Sequence, residues 1–237
     1  THSQTKEARR SGRIYLGVLL STSMGLLLLS ISLIWWLNGS LEFQPGGVFD
    51  NTVAAPVLAI IYALFVFGVG KAALMPFHSW LPAAMVAPTP VSALLHAVAV
   101  VKAGVFTIIK GTFYLFGLDK LIVSGANESL LPVAAITIIL ASLIAMQQDN
   151  LKARLAYSTV SQLSYVVLGA LLANVFGIIA AAMHLVMHAF AKITLFFCAG
   201  AIMVASHKTE ISDMRGLGRR MPYTMGAFVI GALGIIG

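Results

Sequence analysis

The stretch Gly70–Lys110, GKAALMPFHSWLPAAMVAPTPVSALLHAVAVVKAGVFTIIK, decides how this chain must fold. It is apolar enough to lie inside a bilayer, yet it contains Lys71, His96 and Lys102 and is interrupted by prolines. A charged side chain at mid-depth costs about 2.5–3.5 kcal/mol on insertion scales. Irregular backbone at that depth is tolerated only where protein or a hydrated cavity satisfies its polar groups. Because this one segment combines charged side chains with irregular backbone, it indicates a functional site rather than an anchor.

The composition of the whole chain predicts an all-α, polytopic membrane helix bundle. Of its 237 residues, 59% are hydrophobic and only 10% are charged, which is too little polar surface for a soluble domain of this size. The formal net charge of +7 would suit nucleic acid, but the basic residues fall between apolar runs, so we expect no nucleic-acid partner. Cys198 is the only cysteine, which excludes a disulfide within the chain and a cluster ligated by its own cysteines.

The apolar runs predict about seven spanning elements. Segment 53–86 is interpreted as one broken helix, because Pro76 and Pro82 would each remove a helical hydrogen bond and clash with the preceding turn. The other spans are predicted over 14–37, 90–110, 131–148, 153–173, 176–205 and 222–237, with loops at 41–51, 111–130 and 207–221. The missing initial methionine and the short last helix lead us to expect a fragment, truncated at both ends.

The distribution of basic residues predicts the orientation, because cytoplasmic loops carry an excess of Lys and Arg. The opposite side holds at most Lys110 and Lys120. The richer side holds Lys6, Arg9, Arg10, Arg13, Lys152, Arg154, Lys208, Arg215, Arg219 and Arg220. This alternation requires that 53–86 cross the membrane once, and it predicts a cytoplasmic N-terminus.

Three lysines remain inside the predicted spans and are candidates for chemistry. Lys71, Lys102 and Lys192 each lie near the middle of their element, where snorkelling to the interface explains them poorly. A buried lysine loses its proton more readily than an exposed one, and histidine titrates near neutral pH without help. A line of such bases, in reach of one another directly or through water, would form a proton relay.

Three histidines extend this set of bases. His184 and His188 precede Lys192 at four-residue spacing, so the three share one helix face. His96 and Lys102 are six residues apart, about 120° around the helix and roughly 9 Å along it, so they point to different neighbours. For His184, as for His78 in the broken element, a simple hydrogen bond between helices is an equally good explanation.

One predicted helix carries a polar stripe, and the predicted spans contain no acidic residue. Ser158, Ser161, Gln162 and Tyr165 follow helical spacing, which suits either interhelical packing or the lining of a hydrated path. No Asp or Glu falls within a predicted span, so we expect the acidic partner of Lys71 on a segment outside this sequence or on another subunit. No nucleotide, metal or redox motif is evident, so we expect no cofactor.

Several long motifs resemble one family, the antiporter-like membrane subunits of NADH–quinone oxidoreductases, related hydrogenases and Mrp-type cation/proton antiporters. They are GKAALMPFHSWLP at 70–82, APTPVSALLH at 87–96, VKAG at 101–104, DNLKARLAYSTVSQ at 149–162 and HLVMHAFAK at 184–192. The resemblance implies two inverted five-helix repeats, each with a broken helix. Residues 1–110 would then end the first repeat, and 111–237 would form most of the second.

The same resemblance implies roles for the candidate residues. Lys71 matches the central lysine of the family's broken helix, which is normally paired with a glutamate two helices earlier. The remaining relay positions match His96, Lys102, His184, His188 and Lys192. The basic opening and VKAG favour an Mrp-type D subunit that moves protons, with Na⁺ or K⁺ as candidate coupling ions. Other membrane subunits and the bilayer would be its partners, in a bacterial inner membrane.

Alternatives remain open at this point. A proton-pumping subunit of an NADH–quinone oxidoreductase or a membrane hydrogenase shares most of the pattern, so membership of an enzyme is undecided. An unrelated solute carrier could bind an anionic substrate at half-helix N-termini and lysines. A purely structural subunit would need none of these bases for ion flux.

Overall fold

The computed structural model describes residues 5–50, 53–95 and 99–236 and confirms an all-α chain. Within those ranges no strand forms, and the only extended pairing is a single bridge between Asn150 and Glu210. His96, one of the six candidate residues, lies outside the described residues.

The first helix, α1, runs from Lys6 to Asn38 and contains a π-helical segment at Ser21–Leu27. It begins before the predicted Ile14, because the Thr5 hydroxyl caps the helix by accepting a hydrogen bond from the backbone N–H of Ala8 (3.2 Å). The polar residues that precede the apolar run are therefore helical.

The predicted break in segment 53–86 is present. Helix α2 runs from Ala55 to Gly68 and is followed by a single turn at Gly70–Ala72. The backbone then adopts the left-handed conformation at Ala73 (φ 57°), and the next α-helix is α3, Trp80–Ala83. The second half contains less helix than predicted, since the two prolines there cannot donate backbone hydrogen bonds.

Within the predicted helix over 90–110 the structure describes two helical segments, on either side of residues 96–98, which lie outside the described ranges. Helix α4 covers Thr89–Ala93, and α5 runs from Val100 to Phe116, well past Lys110. At Gly117, whose φ of 80° favours glycine, the chain bends by 80° into α6, Leu118–Ser124. The prediction of a loop over 111–130 is therefore wrong in this part. Phe116 is buried there and stacks on Phe49 with ring centroids 5.3 Å apart, so apolar burial keeps the segment ordered.

The next three helices begin and end within two residues of their predicted bounds. They are α7, Leu131–Gln147, α8, Leu151–Leu171, and α9, Val175–Ser206. Asn150 and Asn174 fix the starts of α8 and α9, because each side chain accepts a hydrogen bond from a first-turn N–H. The link after α9 contains a turn at Ile211–Met214 and a short helix, α10, Leu217–Arg220, and the described chain closes with α11, Pro222–Ile236.

Length and apolarity alone qualify three described helices as membrane spans. They are α1, α9 and the helix that includes α7, and the bent pair α5–α6 would make a fourth. Helices α2 and α11 are apolar but shorter. The count of about seven and the division into repeats at residue 110 stay predictions.

Packing between helices places the candidate residues. Helix α7 packs on α8, α8 on α9, and α9 on α11. Helix α5 contacts both α8 and α9. On its other side α5 contacts the break, where a Cβ on Gly104 would lie only 2.6 Å from the backbone N of Ala72. A glycine is required at this position for α5 to approach the break.

Candidate functional site

The clearest contact between candidate residues joins α5 to α9. The Lys102 Nζ lies 2.5 Å from Nδ1 of His188, and the two residues are only 7% and 1% exposed. They are separated by 86 positions in the sequence, so only the packing of α5 on α9 brings them together. An amine and an imidazole in hydrogen-bond contact can exchange a proton directly.

His184 extends this pair along α9. Its ring centroid lies 6.1 Å from that of His188 and 6.2 Å from that of Tyr165 on α8. The buried Nε2 of His184 has no hydrogen-bond partner among the described residues. The simple hydrogen bond between helices that was an equal alternative is therefore not made by this nitrogen in the described structure.

Lys192 lies two helical turns beyond His184 and is fully buried. Its ammonium donates to the backbone O of Leu155 (3.2 Å) and to the hydroxyl of Ser158 (2.9 Å) on α8. The sequence placed Ser158 in a polar stripe, but no local signal could connect it with Lys192.

The rest of the polar stripe is divided between a packing contact and the wall of a cavity. Ser161 packs α8 on α7, because its hydroxyl lies 2.8 Å from the Ser142 hydroxyl and donates to Ile138 O at 3.2 Å. Gln162 and Tyr165 instead line a cavity of about 820 Å³ that also borders His184.

Lys71 differs from the other lysines. It lies in the turn at the break and is exposed, and its ammonium makes no hydrogen bond or ion pair with any described residue. The break itself is held by the indole N–H of Trp80, which donates to the backbone O of Gly70 (2.9 Å). Nearby, the half-buried ring of His78 lies 6.4 Å from that of Tyr157.

Carboxylates are absent from the cluster as far as the described residues show. The hydrogen-bond partner of Lys102 is an imidazole, and those of Lys192 are a carbonyl and a hydroxyl. Among the described residues no three His, Cys, Asp or Glu side chains converge to hold a metal ion. The arrangement is a set of buried bases suited to passing protons.

Comparison with known families gives a match along nearly the entire chain. The model of the family described as NADH:quinone oxidoreductase/Mrp antiporter, TM, matches residues 2–237. The chain belongs to this family. It is therefore an integral membrane protein, with the antiporter-like helical fold that the motifs indicated.

Relatives within the NADH:quinone oxidoreductase/Mrp antiporter family are similar over most of the chain. NADH-quinone oxidoreductase subunit L of Rickettsia bellii is 40% identical over 174 residues, 73% of this chain and 26% of that protein. The chloroplastic NAD(P)H-quinone oxidoreductase subunit 5 of Cicer arietinum is 36% identical over 227 residues, 89% of this chain and 29% of that protein. The chain thus spans about a quarter to a third of the length of these relatives.

Solved structures give the same family fold. The Mrp complex from Dietzia superposes with a TM-score of 0.85 at 26% identity, over 98% of this chain and 42% of that one. An archaeal membrane-bound sulfane sulfur reductase gives 0.81 at 27% identity, over 97% of this chain and 47% of that one.

Proposed function

We propose that this chain is part of a proton-translocating membrane subunit of a multisubunit Mrp-type cation/proton antiporter. The observation that carries the proposal is the buried contact between Lys102 and His188, with Lys192 buried farther along the same helix. Burying three bases in an apolar bundle costs free energy, and intramembrane ionisable groups of this kind mark ion pathways.

The proton route uses the residues in the order of their packing. Lys102 passes a proton to His188 through their hydrogen bond, and His188 lies one helical turn from Lys192 on α9. Lys71 stands at the break that touches α5 near Gly104, so water or a side-chain movement must connect it with Lys102. The proposed relay also includes His184 and His96.

The proposal includes the surroundings of the subunit. Other membrane subunits of one complex are its partners, Na⁺ or K⁺ is the exchanged ion, and a neighbouring segment or subunit supplies the acid that pairs with Lys71. The basic residues at the ends of α8 and α9 favour a cytoplasmic N-terminus in a bacterial inner membrane. The relatives named as subunits of quinone oxidoreductases support a multisubunit assembly.

A second candidate function has its own support. Identity of 40% to an oxidoreductase subunit L favours a proton-pumping subunit of an NADH–quinone oxidoreductase. The two functions differ in the driving reaction and not in the relay. In inverted membrane vesicles an antiporter moves protons when a Na⁺ or K⁺ gradient is imposed, whereas an oxidoreductase subunit does so only when NADH and quinone react.

Three variants of the full-length protein test the relay. We expect that Lys71→Ala and Lys192→Met each abolish proton movement in vesicles while the complex still assembles. Lys110→Met is the control, because that ammonium lies over the ring of Phe43 (4.3 Å) and outside the cluster. Normal proton movement in the first two variants would refute the relay and favour a structural subunit.

The remaining alternative, a solute carrier, predicts a different result. Its lysines would be protected from amine-reactive labelling by an anionic substrate at constant pH. Labelling that depends on pH alone is the result expected for a proton relay.

A further inference from the structure

A cavity of about 270 Å³ lies between α7 and α8, beside the cluster of bases. Polar side chains line it together with Ala145 and Met146, and those polar residues are Ser142, Arg154, Ser158, Ser161 and Gln162. Met146, which is largely exposed, stands at its rim near the end of α7. The cavity therefore reaches from the α7–α8 turn into the bundle.

The walls of this cavity provide binding sites for water. The buried Oε1 of Gln162 has no hydrogen-bond partner among the described residues, although a buried amide oxygen is costly to leave unpaired. Three serine hydroxyls and a guanidinium share the same space. A buried water needs two to four polar partners, and this cavity supplies more than that.

The cavity also touches the cluster of bases. Ser158 forms part of its wall, and the same hydroxyl accepts the hydrogen bond from Lys192. The Lys192 ammonium is therefore hydrogen-bonded to a residue of the cavity wall. Gln162 borders both this cavity and the larger one beside His184.

Arg154 places a fixed positive charge in the cavity. Its Nε donates to the backbone O of Gln148 (2.9 Å), and its Nη2 donates to that of Met146 (3.1 Å). These bonds use carbonyls at the end of α7, where a positive charge is favoured. The guanidinium is therefore immobilised, and a fixed arginine in a narrow aqueous path raises an electrostatic barrier to cations.

We propose that this cavity is an aqueous access compartment for Lys192 and that Arg154 is its specificity-determining residue, excluding free cations. The functional part of this inference rests on the proposed proton relay. Charge then crosses the compartment only as protons: the Lys192 ammonium gives one proton to Ser158 Oγ while that hydroxyl gives its own to a water. Serine stays neutral, Lys192 becomes an amine, and no alkali cation has to pass Arg154.

Charged thiol reagents test the proposal independently of transport. Ala145, which lines the cavity, is replaced by Cys in the full-length protein within its complex, with Cys198 and any other native cysteine replaced by Ala. Two methanethiosulfonates of similar size are compared, one anionic with a sulfonate and one cationic with a trimethylammonium group. We expect the anionic reagent to react faster by on the order of tenfold relative to its rate with free thiol, since a nearby charge in a partly buried site is weakly screened.

Variants then assign the preference to Arg154. Arg154→Gln should bring the two rates together, whereas Arg154→Lys and the control Arg219→Gln, which removes an exposed charge from the link before α11, should keep the preference. If Arg154→Gln does not assemble, raising the ionic strength should reduce the preference with Arg154 in place. No labelling by either reagent, or equal rates with Arg154 present, would overturn the proposal. Failure of the relay itself would leave these labelling rates unchanged.

Discussion

Lys192 and Lys71 are both lysines in apolar segments of this chain, yet their ammonium groups have opposite environments. Lys192 is completely buried and donates to a carbonyl and a hydroxyl of α8. Lys71 is exposed at the break and has no polar partner among the described residues. The first is satisfied by its own bundle, and the second finds no such match among the described residues.

The two environments show two ways in which a membrane subunit can hold a positive charge. A buried ammonium is tolerated where donors and acceptors are matched locally, and α8 provides that match for Lys192. At a helix break some backbone polar groups are left unpaired, and water or another helix must supply their hydrogen bonds. We therefore expect the two lysines to respond differently to the same substitution.

The largest difference is expected between Lys192→Ala and Lys71→Ala. Lys192→Ala leaves a cavity in the packed bundle and should lower the free energy of unfolding by about 2–4 kcal/mol. Lys71→Ala removes an exposed side chain and should change it by no more than about 0.5 kcal/mol. Thermal unfolding of the detergent-solubilised full-length protein measures both. Equal losses would remove the distinction between the two sites.

Gly104→Ala examines the contact on the Lys71 side. Its new methyl group would lie 2.6 Å from the backbone N of Ala72, so α5 must move away from the break. We expect a loss of about 1–3 kcal/mol of stability, as for other overpacked sites. The control is Gly226→Ala on α11, where nothing lies within 4 Å of the new methyl group and no loss should follow. A loss in the control as large as that in Gly104→Ala would contradict this account of the break.

Ser158→Ala tests the hydrogen bond that Ser158 accepts from Lys192. It leaves the buried ammonium with only the carbonyl of Leu155, which should lower stability by about 1 kcal/mol and slow proton movement. In the control Ser164→Ala, the lost hydroxyl donates only within its own helix, to Val160 O (2.9 Å). Stopped-flow acidification of vesicles compares the two, and an effect in the control alone would be contrary to expectation.

The smallest effect concerns the polar turn that aligns α8 with the link after α9. The carboxylate of Asp149 accepts hydrogen bonds from the hydroxyl (2.6 Å) and the backbone N–H (3.0 Å) of Ser212, and these bonds lower its pKa. Because the folded-state pKa is lowered, the carboxylate stabilises the fold above its ordinary pKa of 3.8. That contribution is lost as the pH falls from there through the lowered value.

Ser212→Ala should therefore raise the pKa of Asp149 toward its ordinary value, since the hydroxyl is the strongest cause of the shift. A carboxyl-carbon NMR titration of labelled aspartate measures the midpoint. Ser206→Ala is the control, because that hydroxyl donates to Ile202 O on its own helix (2.7 Å). An unmoved midpoint in Ser212→Ala would show that the turn is held differently.

The sequence alone predicted the helical class, a broken helix over 53–86 and the bounds of α7, α8 and α9 to within two residues. These follow from local causes, namely apolar runs, prolines and the caps at Asn150 and Asn174, which are visible along the chain. The family could likewise be inferred from linear motifs. The helix at Leu118–Ser124 was missed, because its order depends on burial against residues distant in sequence.

Which bases come into contact depends on the packing of the helices. The Lys102–His188 contact and the Lys192–Ser158 bond join residues 86 and 34 positions apart, and helical periodicity cannot say which faces of two helices oppose each other. The packing of α5 against α8 and α9 sets those faces. In the sequence Arg154 is one basic residue among many. In the structure it lines a cavity whose wall also contains Ser158, the hydrogen-bond partner of Lys192.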